Sequence, residues 1–394
     1  MAKILFITTE LPYPASSGGR IKSFKLIEHL SKEHELSVFA LVDKPSEELE
    51  EEFMKAVKLN TYASFKLKKK RNLMNLLRSY TKRIPLNQFR NYHTKAAEII
   101  HHLADDADIV IIDHYEMGIY LSSLSDCTKV YHAHNAEFKL WERLAQLERE
   151  PLKKRAISLE TQRVITAEKV LMKACAKSFM AASDKAKFEE YGIEVPNFRE
   201  TKHLGSESLM SLPNLEFDET EKALFYMGSL SWPANSDGLI WFFKKVWPIL
   251  IEKDADLKFH LLGKGAKRDL KKVLNKWPQV VMHGFAENPD EIMKQCRLGV
   301  VPLRYGSGMK IKVLDNLYRG LPMVTTPVGA EGISIEDKMH ASIKDDPMDF
   351  ANAVMELLSN EDLWKQYRDS SRKLSKKAYT WEMELKSFEE ALMD

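Results

Sequence analysis

Four stretches of this chain combine residue types and spacings that can do chemistry. PYPASSGGR, residues 12–20, sets Gly18 and Gly19 ahead of a helical pattern. Glycine lets the backbone approach a ligand, and the helix that follows would point free N–H groups at an anion such as a diphosphate. The same pair would also serve as a plain turn. YHAHNAE, residues 131–137, places His132 and His134 two apart, with Asn135 and Glu137 behind them. On a strand, that period puts both imidazoles on one side. No carboxylate or cysteine at a familiar spacing completes a metal ligand set, so no metal is expected. Histidines at such a place either contact substrate hydroxyls and move a proton, their pKa lying near neutrality, or are hydrogen-bonded structural groups.

The densest stretch is PLRYGSGMKIKVLDNLYRGLPMVTTPVGAEGI, residues 302–333. Gly306, Ser307, Gly308 and Met309 precede a helix carrying Lys310, Lys312 and Asp315, which Gly320 ends and Pro322 closes off. Backbone N–H groups at the helix start, with a lysine one turn in, would hold a diphosphate. Asp315, further along, would accept hydrogen bonds from ribose hydroxyls. An ordinary amphipathic helix with solvated lysines is the plain alternative, and it fits poorly with two Gly/Ser/Thr loops around one crevice. The fourth stretch, GSLSWPAN, offers Gly228 and Ser229 to a phosphate or base, and Trp232 either to stacking or to a core. Gly263-Lys264-Gly265 completes neither GxGxxG nor GxxxxGK[ST], so dinucleotide and ATP fingerprints are absent. Asp254-Ala255-Asp256 imitates a metal-binding Asp-x-Asp, but it ends a helix before a strand and reads as a turn.

Such loops work when parallel strands present them at their carboxyl ends, and the chain supplies the strands. β-rich runs at 4–8, 36–42, 108–113, 129–132 and 178–181 alternate with helical patterns at 20–31 and 137–173. Regularity fails between about 195 and 221, where Pro, Gly, Ser and Asn collect. It restarts with runs at 223–227, 257–262, 280–283, 298–302 and 322–326, and helices near 237–253, 269–276, 289–296 and 310–319. The expectation is α/β, with doubly wound domains at 1–200 and 222–376, a linker at 201–221 and a last helix at 377–394. The length of 394 residues suits two to three domains. With 59 basic and 57 acidic residues, the net +2 argues against an all-over DNA-binding surface and against an acidic disordered chain. Three scattered cysteines, Cys127, Cys175 and Cys296, read as a reduced cytoplasmic protein without a disulfide framework or zinc site. The N-terminal apolar run reads as a strand and not as a signal peptide, and no run approaches a membrane span.

Taken together, these stretches resemble glycosyltransferase family 4, the retaining nucleotide-sugar transferases of GT-B fold. FYMGSLSWPANSDGLIWFFKKVWP, KFHLLGKG, VVMHGF and LGVVPLRYGSGMKIKVLDNLYRGLPMVTTPVGAEGI follow the family's order and spacing, with weaker echoes in PYPASSGGR, the HN of AHN and AYTWEMELKSFEEAL. The resemblance implies two Rossmann-like domains facing a cleft, donor on the second, acceptor on the first, and a C-terminal helix crossing back to the first. It implies a metal-independent transfer of a hexose-type sugar from a nucleotide sugar to a glycan or lipid-linked acceptor, with retention. His134 would face the sugar near the reacting carbon and Lys312 would pair with phosphate, which makes these two the catalytic candidates. Gly19 would approach the sugar or diphosphate and Asp315 the ribose. Gly18, Gly228, Ser229, Arg304, Ser307, Gly308, Met309, Lys310 and Glu331 complete the donor-binding set. Ser307 stands where the family often has a first glutamate, and Ser229 and Asn235 where it often has Arg and Lys; Arg304, Lys310 or Lys312 would then supply the charge. A catalytically inactive accessory subunit and a nucleotide-sugar epimerase remain the alternatives.

Residues 53–104 contain twelve Lys or Arg, the first Lys55 and the last Lys95, against the single acid Glu98, a net +11 that leaves −9 for the rest. Leu73, Met74, Leu76, Leu77 and Tyr80 are interleaved, so the segment is amphipathic as well as basic. An anionic membrane surface on the cytoplasmic side and a merely solvated face are the two readings. Nucleic acid is not expected, because no stacking platform accompanies the charge.

Overall fold

The computed structural model describes residues 1–394 apart from 16–17, 69–71, 125, 149, 287 and 307. The chain forms two compact units, Met1–Lys202 with Glu384–Asp394, and His203–Met383. Among the described residues no helix is long and apolar enough to cross a membrane.

The first unit is built on seven parallel strands: β1 (Lys3–Thr8), β2 (Glu35–Val42), β3 (Thr61–Lys66), β4 (Ile109–Asp113), β5 (Thr128–His132), β6 (Lys177–Met180) and β7 (Phe198–Glu200), in the order β3-β2-β1-β4-β5-β6-β7. Helices on both faces explain why the central strands are apolar without alternation: Leu5, Phe6 and Ile7 of β1 and Val110, Ile111 and Ile112 of β4 are wholly buried. Each such side chain contributes roughly 1.5–3 kcal/mol relative to exposure. Strand order sets β1, β4 and β5 side by side, with Ile7 opposite Ile112 and Asp113 opposite His132. The carboxyl ends of three strands therefore meet at one place, and the first candidate site lies there.

Three helices of this unit matter below: α1 (Gly18–Glu33), α2 (Leu73–Thr81) and α3 (Pro151–Ala174). The helical pattern expected at 137–173 is two helices, Glu137–Leu147 and α3, with Pro151 occupying the first position of the second. The basic segment is likewise not one amphipathic element. It includes the edge strand β3 as well as α2.

The second unit carries β8 (Glu221–Met227), β9 (Lys258–Leu262), β10 (Val280–Gly284), β11 (Cys296–Val301), β12 (Met323–Thr325) and β13 (Ser342–Ile343), all parallel, in the order β10-β9-β8-β11-β12-β13. α4 (Pro233–Trp241) runs through a π turn, Phe242–Val246, into a further helix, Trp247–Lys253. Phe242, Phe243, Val246, Trp247 and Leu250 point inward while Lys244 and Lys245 stay exposed, as a core helix requires. α5 (Ile311–Arg319) ends at Gly320, whose φ of 69° is the left-handed cap that glycine makes at little cost.

The segment expected as a linker is instead a fixed strap, with residues 203–221 inside the second unit. Arg372 donates to the carbonyls of Met210 and Leu212, Arg319 to Pro213, Arg368 to Leu215 and Arg297 to Phe217 and Thr220. Irregular backbone has no ladder to satisfy its carbonyls, and guanidinium forks supply the missing donors. The last helix, α6 (Trp381–Met393), has its final residues in the first unit. There Glu384 accepts from Thr201 and Lys202, Glu389 pairs with His29, and Phe388 packs on Phe179 with ring centroids 4.1 Å apart.

Candidate functional site

Chemistry-bearing side chains gather at one place in each unit. In the first unit the centre is Asp113, the last residue of β4, which is fully buried. Its Oδ1 accepts from His132 Nδ1 and His134 Nε2, both at 2.7 Å, and its Oδ2 accepts from Thr8 and Ser23 hydroxyls, both at 2.8 Å. Burial by itself raises the pKa of Asp113, but His134, His114 and His132 outweigh it and hold the carboxyl well below its ordinary value. Burial also pushes His132 down to about 4, with Lys22 adding to the effect, and pushes His134 well down, with His114 adding. An ionised carboxylate only accepts hydrogen bonds, so a neutral His134 carries its proton on Nε2 and has its lone pair on Nδ1. That nitrogen is turned toward Gly19, where an added Cβ would lie 3.5 Å from it.

The absence of a nearby carboxylate, the ground on which a metal was not expected, is corrected here. Asp113 comes from the neighbouring strand, and its carboxylate with His132 and His134 places three potential ligand atoms within 4.8 Å of one another. One oxygen shared by two imidazole N–H groups at 2.7 Å is the geometry of a hydrogen-bonded cluster. Sequence reasoning also missed His114, at φ 71°, which stacks on His134 with ring centroids 3.7 Å apart. A third missed group is Lys22 on α1, 1% exposed, whose ammonium has no hydrogen-bond partner among the described residues. Burial lowers it to about 8 against the pull of Glu384, Asp113 and Asp184.

In the second unit the centre is Lys312, in the first turn of α5. Its ammonium donates to the Tyr226 hydroxyl at 3.0 Å and to Asn235 Oδ1 at 2.5 Å, and lies 4.8 Å from the Tyr226 ring centroid. Asn235 in turn donates from Nδ2 to the Ser229 carbonyl at 2.8 Å. Gly228 is part of this cradle, since a Cβ there would lie 3.0 Å from the Lys312 ammonium and 3.1 Å from Asn235 Nδ2. Burial, with Lys310 adding, lowers Lys312 to about 7. Among the described residues no carboxylate forms an ion pair with it.

The other candidates divide. Lys310 is 7% exposed and donates to the Gly308 carbonyl at 2.5 Å and to Glu331 at 3.2 Å, so these three tie two loops to each other. Met309 lies under Gly332, where a Cβ would be 3.2 Å from its Cγ. Arg304 is exposed and pairs with Asp237 of α4 at 3.3 Å. Gly18 and Gly19 open α1. Ser307 lies outside the described residues. Asp315 is 3% exposed, and its Oδ1 accepts from the Ser206 backbone N–H at 2.9 Å. Gly205 backs onto it so closely that a Cβ would sit 2.3 Å from that oxygen. Burial pushes its pKa up to about 6. The strap therefore covers the carboxylate that was expected to meet a ribose.

Residues 221–360 match the family described as Glycosyl transferases group 1. Over 378 residues the chain is 24% identical to an uncharacterised 44.6 kDa protein in the cps region of Klebsiella pneumoniae, covering 91% of this chain and 92% of that one. An uncharacterised glycosyltransferase of Methanocaldococcus jannaschii is 30% identical over 144 residues, 34% of this chain and 40% of that protein. In fold, the chain is similar to HepE of Anabaena, solved in complex with UDP and glucose, with a TM-score of 0.70, 10% identity and both chains covered throughout. The protein is a glycosyltransferase, with two doubly wound units of the GT-B fold and a group 1 transferase domain in the second.

Proposed function

We propose that the protein transfers a hexose-type sugar, with retention and without a metal, from a nucleotide-sugar donor to a glycan or lipid-linked acceptor, as family 4 enzymes do. The single observation that carries this reading is Lys312. A partly buried ammonium held by a hydroxyl and an amide oxygen, with no carboxylate paired to it among the described residues, is a cation poised for an anionic guest. The diphosphate would meet it beside the N-terminus of α5, where the helix dipole adds to the positive field. Lys312 would neutralise charge developing on the leaving diphosphate. Tyr226 and Asn235 act through it by holding its ammonium in place, and the Ser229 carbonyl orients Asn235. Gly228 leaves the space.

In the first unit, His134 would accept a hydroxyl proton at Nδ1, while Asp113 is a positioning residue that fixes its tautomer and ring angle. UDP-sugars are the first donors to examine, since HepE was solved with UDP and with UDP-glucose. The relative in a cps region makes a surface polysaccharide the first acceptor class. Incubation with a nucleotide-sugar panel and polysaccharide-precursor acceptors, read by proton NMR of the anomeric signal, tests the reading. Formation of an axial product from an axially linked donor supports retention. Inverted product overturns it, and conversion of donor to its epimer without acceptor would make the protein an epimerase.

A further inference from the structure

Two elements far apart in sequence build one basic and apolar surface on the first unit. α2 and the start of α3 lie against each other: the Tyr80 hydroxyl donates to the Ala156 carbonyl at 3.0 Å, and the Arg163 guanidinium lies 4.3 Å from the Tyr80 ring centroid and donates to the Ser79 and Ile84 carbonyls. Residues 151–156 are all exposed, and Leu152 is 79% so. Leu152, Ala156, Leu159 and Arg163 fall on one helical stripe, so the two leucines share the face that meets α2. Met74 and Leu77 of α2 are each 55% exposed and Leu159 is 51%. Around them stand the exposed residues Arg78, Lys82, Arg83, Lys153, Lys154 and Arg155; neither 72–84 nor 151–159 contains an acid, and Glu150, just before, pairs with Lys153 at 2.5 Å.

Water alone would favour neither feature. Bare leucines gain nothing in a solvated face, and three consecutive basic residues in the first two turns of α3 oppose its macrodipole, with the N-cap Glu150 pairing with one of them, Lys153. Both features suit a partner that is anionic at its surface and apolar just beneath. We propose that α2 and the first turns of α3 dock the protein on an anionic lipid bilayer, the basic side chains at the headgroups and Met74, Leu77 and Leu152 inserted below them. The structure thus narrows the basic segment: Lys55 lies on another helix, Glu47–Ala56, while Lys153, Lys154 and Arg155, outside that segment, join the surface. A nucleic acid would use the charge but not the bare aliphatic side chains. The inference stands on this surface alone and does not depend on the transfer reaction.

Vesicle sedimentation of the full chain tests it, with phosphatidylcholine alone against a phosphatidylcholine–phosphatidylglycerol mixture. The wild type should pellet with the mixture, release in high salt and ignore neutral vesicles. Each basic residue near such a surface is worth about fivefold in partitioning, the equivalent of about 1 kcal/mol. The triple variant Lys153→Glu, Lys154→Glu, Arg155→Glu should therefore lose on the order of 100-fold or more. Leu77→Ser with Leu152→Ser should lose roughly tenfold with its charge intact. These positions are exposed, so the urea midpoint should not move. Equal pelleting with both vesicle types, no pelleting at all, or wild-type partitioning by either variant would overturn the proposal. So would tighter binding of a single-stranded RNA that the leucine variant leaves unchanged.

Discussion

Donor binding should draw a proton onto Lys312. In the donor-free protein, burial holds this lysine at about 7. An ammonium paired with phosphate titrates near or above its ordinary value. The sign follows directly: the bound state holds more protons than the free state at every pH between those two values, so binding takes up protons and weakens as pH rises. At about pH 8 a group with a pKa of about 7 is only ~10% protonated, so about 0.9 proton should be taken up per donor bound. Affinity should fall by about tenfold, or ~1.4 kcal/mol, for each pH unit above about 8 until the bound lysine titrates. A nucleotide sugar has no phosphate proton of its own that titrates near neutrality, so any uptake belongs to the protein. The assay is calorimetric titration with the donor in several buffers of different ionisation enthalpy, where the slope of observed heat against that enthalpy counts protons. Lys312→Met should abolish the slope and weaken binding near pH 7 by about 1.5–3 kcal/mol. Binding with a zero slope in the wild type, or an unchanged slope in the variant, refutes the role given to Lys312.

His132 is neutral in the fold, with a pKa of about 4 against an ordinary 6.5. Its unfolded form binds the extra proton as pH falls from about 6.5, so the first unit should lose about 3 kcal/mol by about pH 4, and urea unfolding of His132→Gln should show a flatter acid limb. Asp113→Asn replaces one acceptor oxygen with an NH2 and removes the charge that two imidazole N–H groups and two hydroxyls now share, so it should lower stability by about 2–3 kcal/mol and reduce kcat while the donor Kd stays unchanged, measured by urea midpoint and steady-state rates. Gly238→Ala puts a Cβ 2.3 Å from the Pro302 carbonyl oxygen, a backbone atom that cannot swing aside, so the second unit should lose about 1–3 kcal/mol in a urea titration.

Much of the scaffold was legible because parallel strands covered on both faces must be apolar along their whole length. Runs such as 4–8 and 108–113 therefore announce themselves, and the helix at 310–319 is bracketed by its glycine cap. β3, β7 and β13 were not legible, since they are short or half-covered edge elements with no such run. In the site, Lys312 stood out as a lysine one turn into a helix behind a Gly-rich loop. That Tyr226 and Asn235 would be its neutral partners did not show, because β8, α4 and α5 meet only in three dimensions. Asp113 was visible as a strand end, but its pairing with His132 depends on β4 lying beside β5, which strand order decides and local sequence does not. For Asp315 the same holds: its place on α5 could not show that the strap backbone at Gly205 and Ser206, more than a hundred residues earlier, lies against its carboxylate.

The most direct test of the central claim is the release of nucleoside diphosphate from a panel of nucleotide sugars, followed for the wild type and for Lys312→Met. The account predicts saturable turnover of at least one donor by the wild type, and a loss of about 1.5–3 kcal/mol in kcat/KM in the variant at an unchanged urea midpoint. No turnover of any donor by the wild type, or equal turnover by the variant, would contradict it.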